Sequence, residues 1–126
     1  MSRAVYDAGV LVAADRGDHR VWLKHRARLM EKTVPLVPAT VVAQVSRSPR
    51  QVLLRRFLAG CHIAPIGEQE AHEAGRLLGR SWTTDVVDAS VVAVAIRYRA
   101  VIVTGDVADM NRLAAAAGGG VGVVGL

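Results

Sequence analysis

The chain has 126 residues, about the length of one globular domain, and we expect a single domain over residues 1–126. Hydrophobic residues make up 52% of the sequence and charged residues 21%, which excludes a disordered chain. No apolar run of about 18 residues occurs, so the sequence predicts no membrane-spanning helix. Sixteen Lys and Arg against eleven Asp and Glu give a net charge of +5, which favours a polyanionic partner.

Cys61 is the only cysteine, so an internal disulfide cannot form. A lone thiol is typical of proteins in a reducing compartment. The segment from Met1 to Asp7 carries an acid where a secretion signal would be apolar. These features predict a cytoplasmic protein.

Strands and helices are predicted to alternate along the chain. The first strand, Arg3 to Asp7, is short and ends in an acid. Asp18, Thr40 and Thr84 stand where they can cap helices, and Pro49 suits the first turn of another helix. The predicted helices are 8–14, 18–32, 40–45, 49–59, 68–80, 85–98 and 107–117, and the predicted strands are 3–7, 35–38, 60–65, 100–103 and 121–124.

The later elements decide the fold class. The helix at 85–98 is apolar almost all round, which is typical of a buried helix. Three glycines at 118–120 end the last helix before the final strand. Because the strands are continuous apolar runs between helices, the pattern predicts a parallel sheet with helices on both faces.

Acidic side chains occur where parallel sheets place their sites, at the carboxyl ends of strands. Asp7 ends the first strand, and Asp106 follows the strand at 100–103. Asp85 and Asp88 share one face at the start of the buried helix. Two carboxylates about 5 Å apart repel by on the order of 3 kcal/mol at an effective dielectric constant of about 20. A divalent cation removes that repulsion, and oxygen ligands without a His or Cys set favour Mg²⁺ or Mn²⁺ over zinc.

Several of these residues also have a purely structural interpretation. Asp85 can serve as a partner of the helix dipole, and Asp106 can cap its helix. Trp22 and Trp82 could each stack on a nucleobase, although packing is the simpler interpretation. The four histidines lack a zinc-like spacing and are expected to be exposed or half-buried. The polar residues at 68–73 are expected on an exposed helix face.

Three segments resemble the motifs of one family. Val5 to Ala14 is similar to the opening of PIN domains, an acid followed by a small residue and an apolar helix. Asp85 to Ala95 resembles the third acidic motif of that family, and Val101 to Asp106 resembles the fourth, a strand that runs into Thr-x-Asp. The order, the spacing and the length match over essentially the whole chain. The subgroup that it resembles most is the VapC-type toxins of toxin–antitoxin pairs.

The resemblance implies a three-layer α/β/α sandwich with a five-stranded parallel sheet. It implies a Mg²⁺- or Mn²⁺-dependent endoribonuclease, in which a metal-activated water hydrolyses the RNA phosphodiester bond. It also implies a homodimer that a cognate antitoxin protein holds inactive. On the family's motifs, Asp7, Asp88 and Asp106 are the catalytic, metal-binding acids, and Asp85 and Asp109 are auxiliary acids at the same edge.

One position departs from the family's pattern. The second acid of PIN domains is usually a Glu in the helix after the second strand, and Gln44 occupies the aligned position. Gln supplies a carbonyl oxygen but no charge, so one hypothesis is weaker metal binding, with one ion rather than two or with rescue by Asp85. The alternative is a catalytically weak or inactive PIN-like domain that binds RNA or a protein partner. Thr104 is a further auxiliary candidate, because its hydroxyl can position a phosphate or a metal-bound water.

A phospho-acceptor domain built on Asp7 is disfavoured. Receiver domains use a Lys after a late strand, and the only lysines here are Lys24 and Lys32. Haloacid-dehalogenase-type phosphatases use a second Asp where Gly9 stands.

Overall fold

A computed structural model describes residues 3–126 and contains a five-stranded, all-parallel sheet. Met1 and Ser2, which belong to the opening segment discussed above, lie outside the described residues. The strands are β1 (Ala4–Tyr6), β2 (Leu36–Pro38), β3 (His62–Ala64), β4 (Val101–Thr104) and β5 (Val123–Gly125). The helices are α1 (Ala8–Asp15), α2 (His19–Met30), α3 (Ala39–Val45), α4 (Val52–Ala59), α5 (Glu68–Ser81), α6 (Val86–Tyr98) and α7 (Val107–Ala116). The predicted α/β fold with a five-stranded parallel sheet is confirmed.

The strand order is β3-β2-β1-β4-β5, so the order reverses at the central strand β1. The chain runs outward from β1 to β3 and then crosses back to β4, which pairs with the free side of β1. The backbone N–H of Asp7 donates to the carbonyl of Val103 at 3.0 Å, which extends this pairing past the end of β1. Open parallel sheets form their sites at such a reversal, outside the carboxyl ends of the strands.

The core is built mainly from aliphatic side chains. β1 and β2 are buried along their whole length, which explains why their sequences are continuously apolar. Helix α6 buries seven consecutive residues, from Ala89 to Ala95, because it contacts α3, α5 and α7 as well as three strands. Its Val side chains each contribute about 1.5–3 kcal/mol of burial. Within residues 3–126, no helix is both long enough and apolar enough to cross a membrane.

Two predicted helix caps are wrong. Thr40 lies inside α3, which follows Pro38 directly, and its hydroxyl pairs with the hydroxyl of Ser90 on α6 at 2.5 Å. Asp85, rather than Thr84, caps α6 by accepting from the backbone N–H of Asp88 at 3.0 Å. A carboxylate suits this position because it also interacts favourably with the helix dipole.

Two predicted boundaries also shift. Pro49 lies outside α4, because the side-chain oxygen of Gln51 accepts from the backbone N–H of Ser48 at 2.9 Å and closes a turn before the helix. The last strand begins at Val123 rather than Val121. The three glycines at 118–120 all have positive φ, so the turn after α7 is longer than the sequence indicated.

Glu70 was expected on an exposed face but is buried, with 4% of its surface exposed. Its carboxylate accepts from the backbone N–H of Gly67 at 3.0 Å and from the guanidinium of Arg97 at 2.7 Å. The hydrogen bond from Gly67, followed by the Arg97 charge, lowers the pKa of Glu70. The ion pair therefore joins α5 to α6 where the sequence predicted only a solvated helix.

The two tryptophans have different environments. Trp22 packs edge-on against Phe57, with ring centroids 5.1 Å apart, and its indole N–H donates to the carbonyl of Ala14 at 3.0 Å. Packing is therefore the correct interpretation of Trp22. For Trp82 it is wrong, because 95% of that residue is exposed.

A buried polar cluster joins β1 to α2. The hydroxyl of Tyr6 lies 2.8 Å from Nδ1 of His25, and the Arg28 guanidinium donates to the same hydroxyl at 3.2 Å. His25 also stacks on Phe57, with ring centroids 3.9 Å apart. Burial raises the pKa of Tyr6 to about 12 and lowers the pKa of His25, so both rings are neutral at pH 7. The expectation that His25 is exposed or half-buried is wrong, because only 2% of the residue is exposed.

Tyr6→Phe is expected to lower the free energy of unfolding by about 1–3 kcal/mol, because it leaves buried polar atoms of His25 without their partner. Urea unfolding followed by circular dichroism measures this change. Tyr98→Phe is the matched control: that ring is only partly buried, and the change should stay within about 0.5 kcal/mol. Equal losses in the two variants would contradict the assigned role of the Tyr6 hydroxyl.

Candidate active site

Asp7 is held in a fixed orientation at the end of β1. It is buried and caps α1, with Oδ1 accepting from the backbone N–H of Ala8 at 2.7 Å. Its other oxygen, Oδ2, accepts from the hydroxyl of Thr104 at 2.7 Å. Thr104 is fully buried at the end of β4 and also accepts from the backbone N–H of Asp106 at 3.0 Å. Side chains thus join the two strand ends across the point where the sheet order reverses.

Asp88 lies in the first turn of α6, next to this pair. Burial, followed by the negative charges of Asp7, Asp85 and Asp109, raises the pKa of Asp88 to about 7. Among these charges, Asp7 has the largest effect. Four carboxyl groups from three parts of the fold therefore come within electrostatic reach of one another at the carboxyl edge of the sheet.

Asp106 follows β4 at the carboxyl edge of the sheet, and its place among the metal-binding acids stays a prediction. It caps α7 by accepting from the backbone N–H of Asp109 at 3.1 Å, and its side chain is exposed. Its charge is not among those that raise the pKa of Asp88, whereas that of Asp109 is. The structure couples the auxiliary acids Asp85 and Asp109 to Asp88 and leaves Asp106 facing solvent at the same edge.

A small cleft opens beside Asp88. Its volume is about 70 Å³, which holds roughly two water molecules at about 30 Å³ each. The guanidinium of Arg112 lies 3.2 Å from the carboxylate of Asp109 at the cleft. The cleft is lined by Ser81, Thr83, Asp88, Asp109, Arg112 and Leu113. It has room for water or a small anion but not for a nucleobase.

The donor atoms at this edge suit a hard divalent cation. They are carboxylate and hydroxyl oxygens without imidazole or thiol, which favours an ion of the Mg²⁺ or Mn²⁺ type over zinc. Among residues 3–126, no three Asp, Glu, His or Cys side chains lie close enough together to hold a metal ion. Helix capping contributes to the separation of these side chains, because Asp7, Asp85 and Asp106 are each held against a backbone amide of their own helix. A bound dication would neutralise the repulsion that suppresses ionisation of Asp88.

Gln44 lies in the last turn of α3 and is exposed. It carries no charge and has no part in raising the pKa of Asp88. Its auxiliary role stays a prediction.

The PIN domain family model matches residues 4–116. This chain belongs to the PIN domain family. The match covers all four carboxyl groups that converge at the sheet edge. No curated protein sequence matches the chain at a significant level.

Solved structures share the fold of this PIN domain. A chain of VapBC2 from Rickettsia felis, bound to a promoter DNA fragment, superposes with a TM-score of 0.77 at 16% identity over 98% of both chains. A chain of FitAB bound to a DNA fragment gives a TM-score of 0.69 at 16% identity over 97% of this chain and 94% of that one. A chain of a toxin–antitoxin complex from Klebsiella pneumoniae gives 0.64 at 17% identity, over 84% and 88% of the two chains. At these identities the likeness shows the fold alone.

Three polar residues of the cleft were not singled out from the sequence. Ser81 and Thr83 come from the end of α5 and the segment after it, where no motif marks them. Arg112 could have been found, because it follows Asp109 by three residues on α7 and so shares a helix face with that acid.

Asp88→Asn is expected to stabilise the metal-free PIN domain at pH 8. The pKa of Asp88 is raised to about 7 in the folded protein, so stability is lost as the pH rises from about 4 to about 7. Asn removes the charge and leaves the cap of α6 intact, because that cap uses the backbone N–H of residue 88. Since the carboxyl is partly exposed, we expect a gain of about 1–2 kcal/mol after solvent screening.

Urea unfolding in chelator at pH 8 and pH 4 measures this gain, which should be absent at pH 4. Glu68→Gln, an exposed acid on α5, is the control and should change little at either pH. A gain of the same size at both pH values would contradict the charge explanation.

Proposed function

We propose that this PIN domain is a divalent-metal-dependent endoribonuclease and the toxin of a toxin–antitoxin pair. The observation that carries the proposal is the convergence of Asp7, Asp85 and Asp109 on Asp88. That convergence opposes folding, and helix capping explains the positions of Asp7 and Asp85 but not that of Asp88. Membership of the PIN family supports nuclease chemistry, and the likeness to VapBC2, FitAB and the Klebsiella complex supports the toxin assignment.

Asp7, Asp88 and Asp106, with Asp85 and Asp109 beside them, would hold Mg²⁺ or Mn²⁺ once their side chains come closer together than in this structure. The ion would supply charge stabilisation for the phosphate and activation of a water. Groups of the protein itself orient one of these acids and supply a proton-exchanging carboxyl. Thr104 and the Ala8 amide fix the carboxylate of Asp7, so its charge needs no reorganisation. The carboxyl of Asp88 has a pKa of about 7 and can take up or release a proton at neutral pH.

RNA is the proposed substrate because the chain has a net charge of +5 although its candidate site is acidic. Basic groups elsewhere on the protein must therefore attract the polyanion, as in other nucleic-acid-binding proteins. Arg112 is one basic group that lines the cleft itself. Hydrolysis adds one water across the phosphodiester bond and leaves a phosphate monoester and a free hydroxyl.

The antitoxin partner is proposed to bind the early helices. A groove of about 330 Å³ lies between α2 and α4, and Leu23 on its wall is 51% exposed. Arg26 and Arg56 also line the groove, so it suits a segment with apolar and acidic side chains. None of the candidate catalytic acids lines it. An antitoxin that also covered the acidic edge would need a second contact, for which a basic side chain is suited. The homodimer and the cytoplasmic location belong to the same proposal.

The second candidate function is a PIN domain that binds RNA or a protein without cutting. Gln44 favours it, because the family's usual second acid is missing there. The convergence at Asp88 favours cleavage.

Cleavage of RNA by the purified protein in Mn²⁺ tests the proposed function. Asp88→Asn should lower the cleavage rate by about 100-fold or more, and chelator should abolish cleavage. Because this variant is expected to be at least as stable as the wild type, loss of activity cannot be ascribed to unfolding. A folded wild type that cleaves none of a varied set of RNAs in Mn²⁺ would favour the non-cutting alternative.

Gln44→Glu should raise the affinity for Mn²⁺ measured by titration calorimetry, because it adds a charge at the position of the family's usual second acid. An unchanged affinity would contradict the role assigned to residue 44.

Thr104→Val should weaken Mn²⁺ binding by about 10- to 100-fold, because it removes the hydroxyl that orients Asp7. Thr104→Ser retains that hydroxyl and should keep most of the affinity. Titration calorimetry with both variants measures the difference. Similar affinities for the Val and Ser variants would mean that the hydroxyl does not position Asp7 for the metal.

A further inference from the structure

Trp82 occupies a position that packing does not explain. It is 95% exposed, more than any other large apolar side chain described. It also ends α5 with a φ of 60°, in the left-handed region. Gly or Asn usually takes such a position, because a β-carbon is unfavourable there, and a bulky residue is uncommon. The chain therefore combines an unfavourable backbone conformation with the exposure of a large apolar ring.

Trp82 stands in the chain between two residues that line the cleft at the acidic edge, and this position points to a role for its exposed ring. Ser81 and Thr83, on either side of it in the chain, line the cleft beside Asp88. The cleft, at about 70 Å³, is too small for a nucleobase. A nucleotide whose phosphate lies at the acids must therefore place its base outside the cleft, on the surrounding surface.

We propose that Trp82 is the stacking surface for an unpaired base next to the cleaved phosphate, and that Arg112 contacts the neighbouring phosphate. This proposal rests on the proposed function and adds the residue that receives the base beside the cleaved bond. An exposed indole ring offers a face to any base, so it binds with little sequence preference. A base within a duplex is already stacked and paired, and cannot use the ring without being displaced.

The experiment measures binding of a fluorescein-labelled single-stranded RNA by anisotropy, in Mn²⁺ and in the Asp88→Asn background so that the strand stays intact. Trp82→Ala should weaken binding by about 5- to 150-fold, the range for the loss of one base stack. Trp82→Phe should retain most of the affinity. Met30→Ala, which removes another exposed apolar side chain at the end of α2, should leave binding unchanged.

An abasic strand of the same length separates stacking from charge. Trp82→Ala should leave the affinity for this strand and the salt dependence of binding unchanged. Arg112→Gln should weaken both strands alike and reduce the salt slope by about one phosphate contact. The same Trp82→Ala protein should show the wild-type urea midpoint, because its ring has no packing to lose.

Three results would overturn the proposal. The first is equal RNA binding by the Trp82→Ala protein and its parent. The second is an equal loss of affinity for the RNA and the abasic strand. The third is a change in sedimentation without a change in RNA binding, which would place Trp82 in a contact between copies of the chain. RNA cleavage by the wild type, with no effect of Trp82→Ala on binding, would support the proposed nuclease function and overturn the proposed role of Trp82. Binding that depends on Trp82, without cleavage, would support the role of Trp82 and contradict the nuclease function.

Discussion

Carboxyl groups of like charge meet at the carboxyl ends of β1 and β4, and the rest of the fold must hold them there. A pair about 5 Å apart repels by on the order of 3 kcal/mol, and a hydrogen bond to a charged group returns about 1.5–3 kcal/mol. The bonds that Thr104 and the Ala8 amide make to Asp7 are therefore of the size needed to offset one such repulsion. Within residues 3–126, no backbone amide or hydroxyl donates a comparable bond to the carboxyl of Asp88, and the buried residues of α6 fix its position instead. The hydrophobic core thus holds the acids in an arrangement that their mutual repulsion opposes.

Helix capping and the candidate chemistry use the same residues. Asp7, Asp85 and Asp106 cap α1, α6 and α7, and in each case one carboxylate oxygen, Oδ1, accepts from a backbone amide of the first turn. The structural and functional interpretations of these acids are therefore compatible. A cap uses only one carboxylate oxygen and places the second beside the positive end of a helix dipole, and in Asp7 that second oxygen also accepts from the hydroxyl of Thr104. Three helices that start at one sheet edge gather acids there without needing a dedicated metal-binding loop.

The sequence predicted the parallel sheet and most of the acidic edge, because both follow from local patterns. Continuous apolar runs such as residues 101–103 indicate buried strands, and acids directly after them must lie at the carboxyl edge. The burial of Glu70 could not be predicted, because its partner Arg97 is 27 residues away in the chain. The same limit applies to Thr40, whose hydroxyl bonds Ser90 rather than capping its helix. The coupling of Asp109, rather than Asp106, to Asp88 depends on which side chains the caps occupy, and no spacing rule contains that information.

Under the proposed function, Gln44 in place of the family's usual Glu lowers the negative charge that a metal ion must balance. The family's usual Glu would add a further carboxylate to a site in which the charges of Asp7, Asp85 and Asp109 already raise the pKa of Asp88. With Gln in its place, and with Asp88 half protonated near pH 7, fewer negative charges remain to be neutralised. One dication then offsets a larger share of the repulsion than it would in a site with five acids. Under the proposed function, the substitution therefore favours binding of one ion rather than two, with Asp85 and Asp109 supplying from α6 and α7 the charge that α3 lacks.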